Sequence, residues 1–189
     1  VSDAAAPANP SAPPGKSLKY ARPEWERRFL LAGLPPGEVV KTATLTDRYL
    51  AGTRLRLRHM VEAGPGGTRT FHKLTQKVPA PDGGPGLITT VYLGEDEHAR
   101  LSALPAAVLR KTRHSIPPFG VDVFAPPLDG LLLAEVEFDA AEAMHAFAPP
   151  SWAVAEVTRD VRFTGGRLAT TSSGELTALL LAFGIQRPR

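Results

Sequence analysis

Five short segments of this 189-residue chain alternate charged with apolar or neutral side chains, and most carry charge of one sign. In Glu24-Trp25-Glu26-Arg27-Arg28-Phe29 a period of two puts Glu24, Glu26 and Arg28 on one face of an extended strand, with Trp25, Arg27 and Phe29 opposite. Arg54-Leu55-Arg56-Leu57-Arg58 sets three guanidiniums against two leucines. Lys73, Thr75 and Lys77 share a face, as do Lys111 and Arg113, and Glu135 and Glu137 alternate with Ala134, Val136 and Phe138. Any one of these segments also fits an ordinary half-buried sheet. The sorting by sign across several strands argues for a lining instead. If the faces turn inward, Arg28, Arg56, Arg58, Lys73, Lys77, Lys111 and Arg113 stand against Glu24, Glu26, Glu135 and Glu137. Buried charge at that density is costly unless compensated. A polyanion with a hard divalent cation compensates it: Arg and Lys grip phosphoryl oxygens, and carboxylates are the ligands Mg²⁺ or Mn²⁺ prefers.

Strands must position these faces. Period-two alternation between Gly and Pro punctuation predicts strands at Pro23–Ala32, Thr42–Leu50, Thr53–Glu62, Thr68–Val78, Leu87–Leu93, Ala107–Ile116, Phe119–Ala125 and Leu131–Asp139. Gly64-Pro65-Gly66-Gly67 reads as a hairpin loop, and Pro81 through Gly86 as a separator. Helices are expected at Gly94–Leu104, where Glu95, Asp96 and Glu97 suit the first turn, at Ala140–Ala146 and at Gly174–Phe183, with one more turn at Gly37–Lys41. The fold class is therefore α+β, mainly antiparallel β: an eight-stranded closed β-barrel tunnel with a few flanking helices. Residues 1–16, rich in Ala and Pro, read as a disordered tail, and 17–189 as one domain.

The bulk composition narrows the function classes. With 22 basic and 19 acidic residues the formal charge is 22 − 19 = +3, too small to indicate nucleic acid by itself. Nucleic acid is further disfavoured because Trp25, Phe29 and Tyr92 sit in apolar contexts rather than as stacking platforms. The absence of cysteine excludes disulfides and thiolate chemistry. No apolar stretch is long enough for a membrane span and no secretory pattern opens the chain, so a cytoplasmic location is expected. His59, His72, His98, His114 and His145 show no metal spacing and read as structural or solvent-facing. Asp122 fits either an inward partner of a basic residue or a solvated position, Glu156 and Asp160 are equally open, and Trp152 reads as a packing anchor. Oligomeric state is not written in the sequence.

The charged segments resemble a known family. Glu24-Trp25-Glu26-Arg27-Arg28-Phe29-Leu30 is similar to the Glu-x-Glu-x-Lys signature of CYTH domains, the triphosphate tunnel metalloenzymes. The likeness continues, in order, through Tyr49-Leu50, Arg56-Leu57-Arg58, Lys73-Leu74-Thr75-Gln76-Lys77, Lys111-Thr112-Arg113, Val121-Asp122-Val123-Phe124, Gly130 to Glu137, Pro150-Ser151-Trp152, Glu156-Val157-Thr158 and Asp160. The resemblance implies a triphosphate or polyphosphate ligand, a Mg²⁺ or Mn²⁺ cofactor held by Glu24, Glu26, Glu135 and Glu137, and phosphate contacts from Arg28, Arg56, Arg58, Lys73, Lys77, Lys111 and Arg113. It also implies catalytic roles at Arg28, Tyr49 and Lys111. Two positions depart from the pattern. Arg28 replaces a lysine and, staying protonated, suits phosphate binding better than proton abstraction. The fifth strand, Ile88-Thr89-Thr90-Val91-Tyr92-Leu93, lacks the family's carboxylates, which makes the tunnel more basic. The expected activity is metal-dependent hydrolysis of inorganic triphosphate. The alternatives are a thiamine or nucleotide triphosphatase and a non-catalytic polyphosphate- or nucleotide-binding module.

Overall fold

The computed structural model describes residues 20–79 and 85–187. The expected tail at 1–16 and most of the separator at Pro81 through Gly86 lie outside the described residues. The strands are β1 (Arg22–Leu31), β2 (Lys41–Leu50), β3 (Leu55–Gly64), β4 (Gly67–Val78), β5 (Gly86–Leu93), β6 (Ala106–Ile116), β7 (Phe119–Phe124), β8 (Leu132–Phe138) and the two-residue β9 (Ala155–Glu156). The helices are α1 (Glu95–Ser102), α2 (Ala141–Ala146), α3 (Gly165–Leu168) and α4 (Ser173–Leu181).

All pairings are antiparallel, in the order β5-β4-β3-β2-β6-β7-β8-β1, and β1 pairs back onto β5 to close an eight-stranded barrel. That closing seam is short: Arg22, Pro23 and Glu24 face Ile88, Leu87 and Gly86. Further along the same strand, β9 pairs with Phe29 and Leu30 instead. The β3–β4 connection is a two-residue hairpin, with Gly64 opposite Gly67. Each expected strand is present, with ends shifted by a residue or two. The helical turn expected at Gly37–Lys41 is not: Gly37 has φ +134°, outside the helical region, and the Val40 backbone N–H already donates to Ser115 O at 3.0 Å, extending the β2–β6 ladder.

Two apolar layers hold the barrel. Along β1, β6, β7 and β8 the inward positions change from charged to apolar at Leu30, Leu109, Phe124 and Leu133, which pack with Phe163, Leu168, Leu176 and Leu180 from the carboxy-terminal segments. This plug abuts the charged lining and is the reason α4 docks there. Its start is set locally, since Ser172 Oγ accepts from the Glu175 N–H and Glu175 Oε2 accepts from the Ser172 N–H. On the outer side, Phe29, Leu31, Val121, Ala134 and Val136 are covered by Phe119, Phe147 and Trp152. The Trp152 ring meets Phe119 edge-on at 4.9 Å, a packing anchor as its context suggested. No helix among the described residues is long and apolar enough to cross a membrane.

Candidate functional site in the barrel interior

Strand register decides which side chains meet. Directly opposed residues of an antiparallel pair project to the same side. Glu26 faces Glu137 and Arg28 faces Glu135 across β1–β8, and Arg113 faces Asp122 across β6–β7. Arg58 faces both Asp47 and Lys73, and Arg56 faces both Tyr49 and Thr75. Followed around the closed sheet, these pairs put the eleven charged residues singled out above, together with Tyr49, on the inner face. Arg28, Arg58 and Lys111 are buried, while Glu137 is exposed and among the described residues forms no ion pair.

One side of the interior is a continuous chain of ion pairs. Arg28 donates from Nη2 to Glu26 at 2.7 Å and from Nε to Glu135 at 2.9 Å. Glu135 accepts with its other oxygen from Arg113, which also holds both oxygens of Asp122 at 2.7 Å. Lys111 donates to Asp122 as well. Burial raises the pKa of the Glu135 carboxyl, but Arg113, Arg28 and Lys111 outweigh it and hold the group well below the ordinary carboxylate range. Glu26 goes the other way: burial pushes it up, and the nearby Glu135 and Glu24 add to the rise while Lys77 and Arg28 oppose it. Burial, helped by Arg113, lowers Lys111 against the pull of Asp122. Gly120 leaves room for this arrangement, since a Cβ there would stand 3.3 Å from Arg113 Cδ.

The opposite side, on β2 to β5, is sparser. Asp47, 1% exposed, accepts from Arg58 Nε at 2.6 Å and Nη2 at 2.7 Å. Arg56 Nε lies 4.0 Å from the same carboxylate and is buried without a hydrogen-bond partner. Arg56 Nη2 donates to Thr75 Oγ1 at 3.3 Å, which in turn contacts Thr90 Oγ1 at 3.2 Å. Lys73 Nζ sits over the Tyr92 and Phe71 rings, 5.1 Å and 5.6 Å from their centres, and among the described residues has no carboxylate partner. Lys77 reaches across to Glu24 at 2.7 Å.

Asp47 was not singled out by sequence reasoning and Asp122 was left open. Both are interior acids, and they shift the charge balance: Asp47 and Asp122 join the four glutamates opposite the cations singled out above. Much of the compensation assigned to a ligand is supplied by the chain itself. The available signal for Asp47 was its place two residues before Tyr49, on the same face of one strand. Glu156 and Asp160 are outside, paired with Arg27 and Arg162.

Tyr49 is held between β2 and α3. Its hydroxyl lies so close to Gly165 that a Cβ there would come within 1.8 Å of it, so only glycine fits. Burial and the Asp47 charge push the phenol up to about 12. At neutral pH it is therefore protonated and able to donate a hydrogen bond.

The chemistry of the glutamates suits a hard divalent cation: the donors are all oxygen, and the burial and neighbouring carboxylates that raise Glu26 are offset by added positive charge. Both Glu135 oxygens are engaged by arginines, leaving Glu24, Glu26 and Glu137 as the groups with donor capacity. As placed, no three His, Asp or Glu side chains among the described residues are gathered closely enough to hold a metal ion. His59, His72 and His98 stack outside the barrel, where α1 meets β3 and β4, with ring centres 4.4 Å to 6.0 Å apart. A surface hollow of about 500 Å³ beside Arg27, His145 and Arg159 lies on the outer side as well.

No family model matches the chain. An inorganic triphosphatase from Nitrosomonas europaea is 35% identical over 159 residues, which is 77% of this chain and 96% of that protein. A crystal structure of the inorganic triphosphatase NE1496 superposes with a TM-score of 0.52 at 30% identity, covering 78% of this chain and 95% of the other. A second crystal structure, of the hypothetical protein NE1496, gives 0.53 at 31% identity over 79% and 99% of the two chains. A closed barrel with this interior, matched over nearly the whole length of such a relative, identifies the chain as a member of the inorganic triphosphatase family.

Proposed function

We propose that this chain hydrolyses inorganic triphosphate inside the barrel, as a triphosphate tunnel metalloenzyme of the CYTH type. The observation that carries the reading is the lining: the seven Arg and Lys side chains singled out above share the inner face of a closed sheet, with Arg56 Nε buried and lacking a partner. A linear triphosphate carries enough charge to engage several of these groups at once, and the similarity to an inorganic triphosphatase points the same way.

Each residue has a role that follows from its surroundings. Arg56, Arg58 and Lys73 face the side with the fewest competing acids and bind terminal phosphoryl oxygens. Lys111 and Arg113, steered by Asp122, and Arg28, steered by Glu135, flank the chain of phosphates and stabilise charge developing on the transferred group. Tyr49, protonated, donates a hydrogen bond rather than taking a proton. Glu24, Glu26 and Glu137 would hold Mg²⁺ or Mn²⁺, which when bound neutralises phosphate charge and orders the attacking water.

Phosphate release from tripolyphosphate, ATP and thiamine triphosphate, each with Mg²⁺, with Mn²⁺ and with chelator, tests the reading. Turnover of tripolyphosphate above the other two is the expected result. Tight binding of tripolyphosphate with no phosphate release under any metal condition would make the protein a polyphosphate-binding module. Glu24→Gln and Glu137→Gln that keep full metal-dependent activity would overturn the ligand assignment.

A further inference from the structure

The acid missed from sequence stands where a phosphate clamp would be most effective. The Asp47 carboxylate is almost wholly buried and takes Nε and Nη2 of Arg58, the edge with which a guanidinium grips a phosphate in forked fashion. Among the described residues it is also the only carboxylate within 4.0 Å of Arg56, whose buried Nε has no hydrogen bond. Burial works against the charge, but the Arg58 hydrogen bonds and the Arg58, Arg56 and Lys111 charges overcome it, so the group remains ionised beside the path of a polyanion.

We propose that Asp47 is an internal counter-anion that competes with the substrate for Arg58 and Arg56, weakening binding and speeding product release. This rests on the reading of the interior as a triphosphate site. A triphosphate entering this side meets one full negative charge a few ångströms from two of its cationic partners. The fork of Arg58 opens to phosphate only by giving up Asp47. Asp47 thereby acts on affinity without touching the reacting phosphorus, and it keeps the basic side of the barrel from holding orthophosphate and pyrophosphate too tightly.

The experiment is calorimetric binding of tripolyphosphate and of pyrophosphate in the presence of chelator, run beside phosphate release with metal. Asp47→Asn keeps the size and one acceptor for Arg58. Removing a like charge at this distance should tighten tripolyphosphate binding about tenfold and lower KM more than it changes kcat. Unchanged or weaker binding by folded Asp47→Asn overturns the proposal and makes Asp47 a support for Arg58 alone. Should that variant not fold, Arg58→Gln is compared with the double variant Asp47→Asn/Arg58→Gln. The double variant is expected to bind tripolyphosphate more tightly, because the single one leaves Asp47 unneutralised, and equal affinities overturn the proposal. If the wild type binds but does not hydrolyse tripolyphosphate, hydrolysis is refuted while the binding comparison still decides the role of Asp47.

Discussion

The two sides of the barrel interior handle the same kind of charge differently. On β1, β6, β7 and β8, Glu26, Arg28, Glu135, Arg113, Asp122 and Lys111 form one connected chain in which each acid is shared by at least one cation. On β2 to β5, Asp47 answers for both Arg58 and Arg56, and Lys73 rests on aromatic rings. The connected side is built to stand without a ligand: every buried cation there has a partner, so breaking it leaves charge stranded. On the proposed reading, the sparse side receives one. Its unsatisfied donor and π-held ammonium lose little when an anion replaces what they touch.

Removing the hub of the connected side should have the largest effect. Asp122→Ala strands Lys111 and leaves Arg113 with Glu135 alone, and is expected to cost about 3–5 kcal/mol in urea unfolding together with nearly all activity. A loss under about 1 kcal/mol would mean that the network is not what holds this side. Arg56→Ala tests the other side. It should leave the unfolding midpoint nearly unchanged yet raise KM for tripolyphosphate about 10- to 100-fold, the value of a charge-assisted hydrogen bond. A large stability loss there would erase the distinction between the two sides.

Gly165→Ala sharpens the comparison at its boundary, since it displaces the Tyr49 hydroxyl beside Arg56. Overpacking of this kind is expected to lower stability by about 1–3 kcal/mol, read by urea unfolding, with a fall in kcat. Acid should give the mildest, graded effect. Asp47 and Glu135 have folded pKa values below their ordinary 3.8 and 4.5, so the stability they contribute is fully present above that range and is lost as pH falls through the depressed values. Glu26, raised, has the opposite sign: its contribution is present at low pH and fades as pH rises through its folded pKa. Melting temperatures from pH 3 to 7 should therefore fall at the acid end, and by less in Asp47→Asn than in the wild type.

How far the sequence alone reached can be judged from particular residues. Glu24, Glu26, Arg56, Arg58, Lys73, Lys77, Lys111, Arg113, Glu135 and Glu137 could all be assigned to one face of their strands, because a period of two is a local property that needs no partner strand. The strand set and the hairpin at Gly64–Gly67 were legible for the same reason. Asp47 and Asp122 were not. A lone acid among apolar and polar neighbours has no periodic signature, and its meaning depends on the arginine or lysine that register sets opposite it. The same holds for Gly165, which needs to be glycine because of Tyr49, 116 positions away in the chain. The sequence by itself thus determined which side chains share a face, and hence that the barrel has a charged interior. Only the tertiary structure decided which of those charges are already spent on one another and which remain for a ligand, because ion pairing depends on contacts between strands distant in sequence.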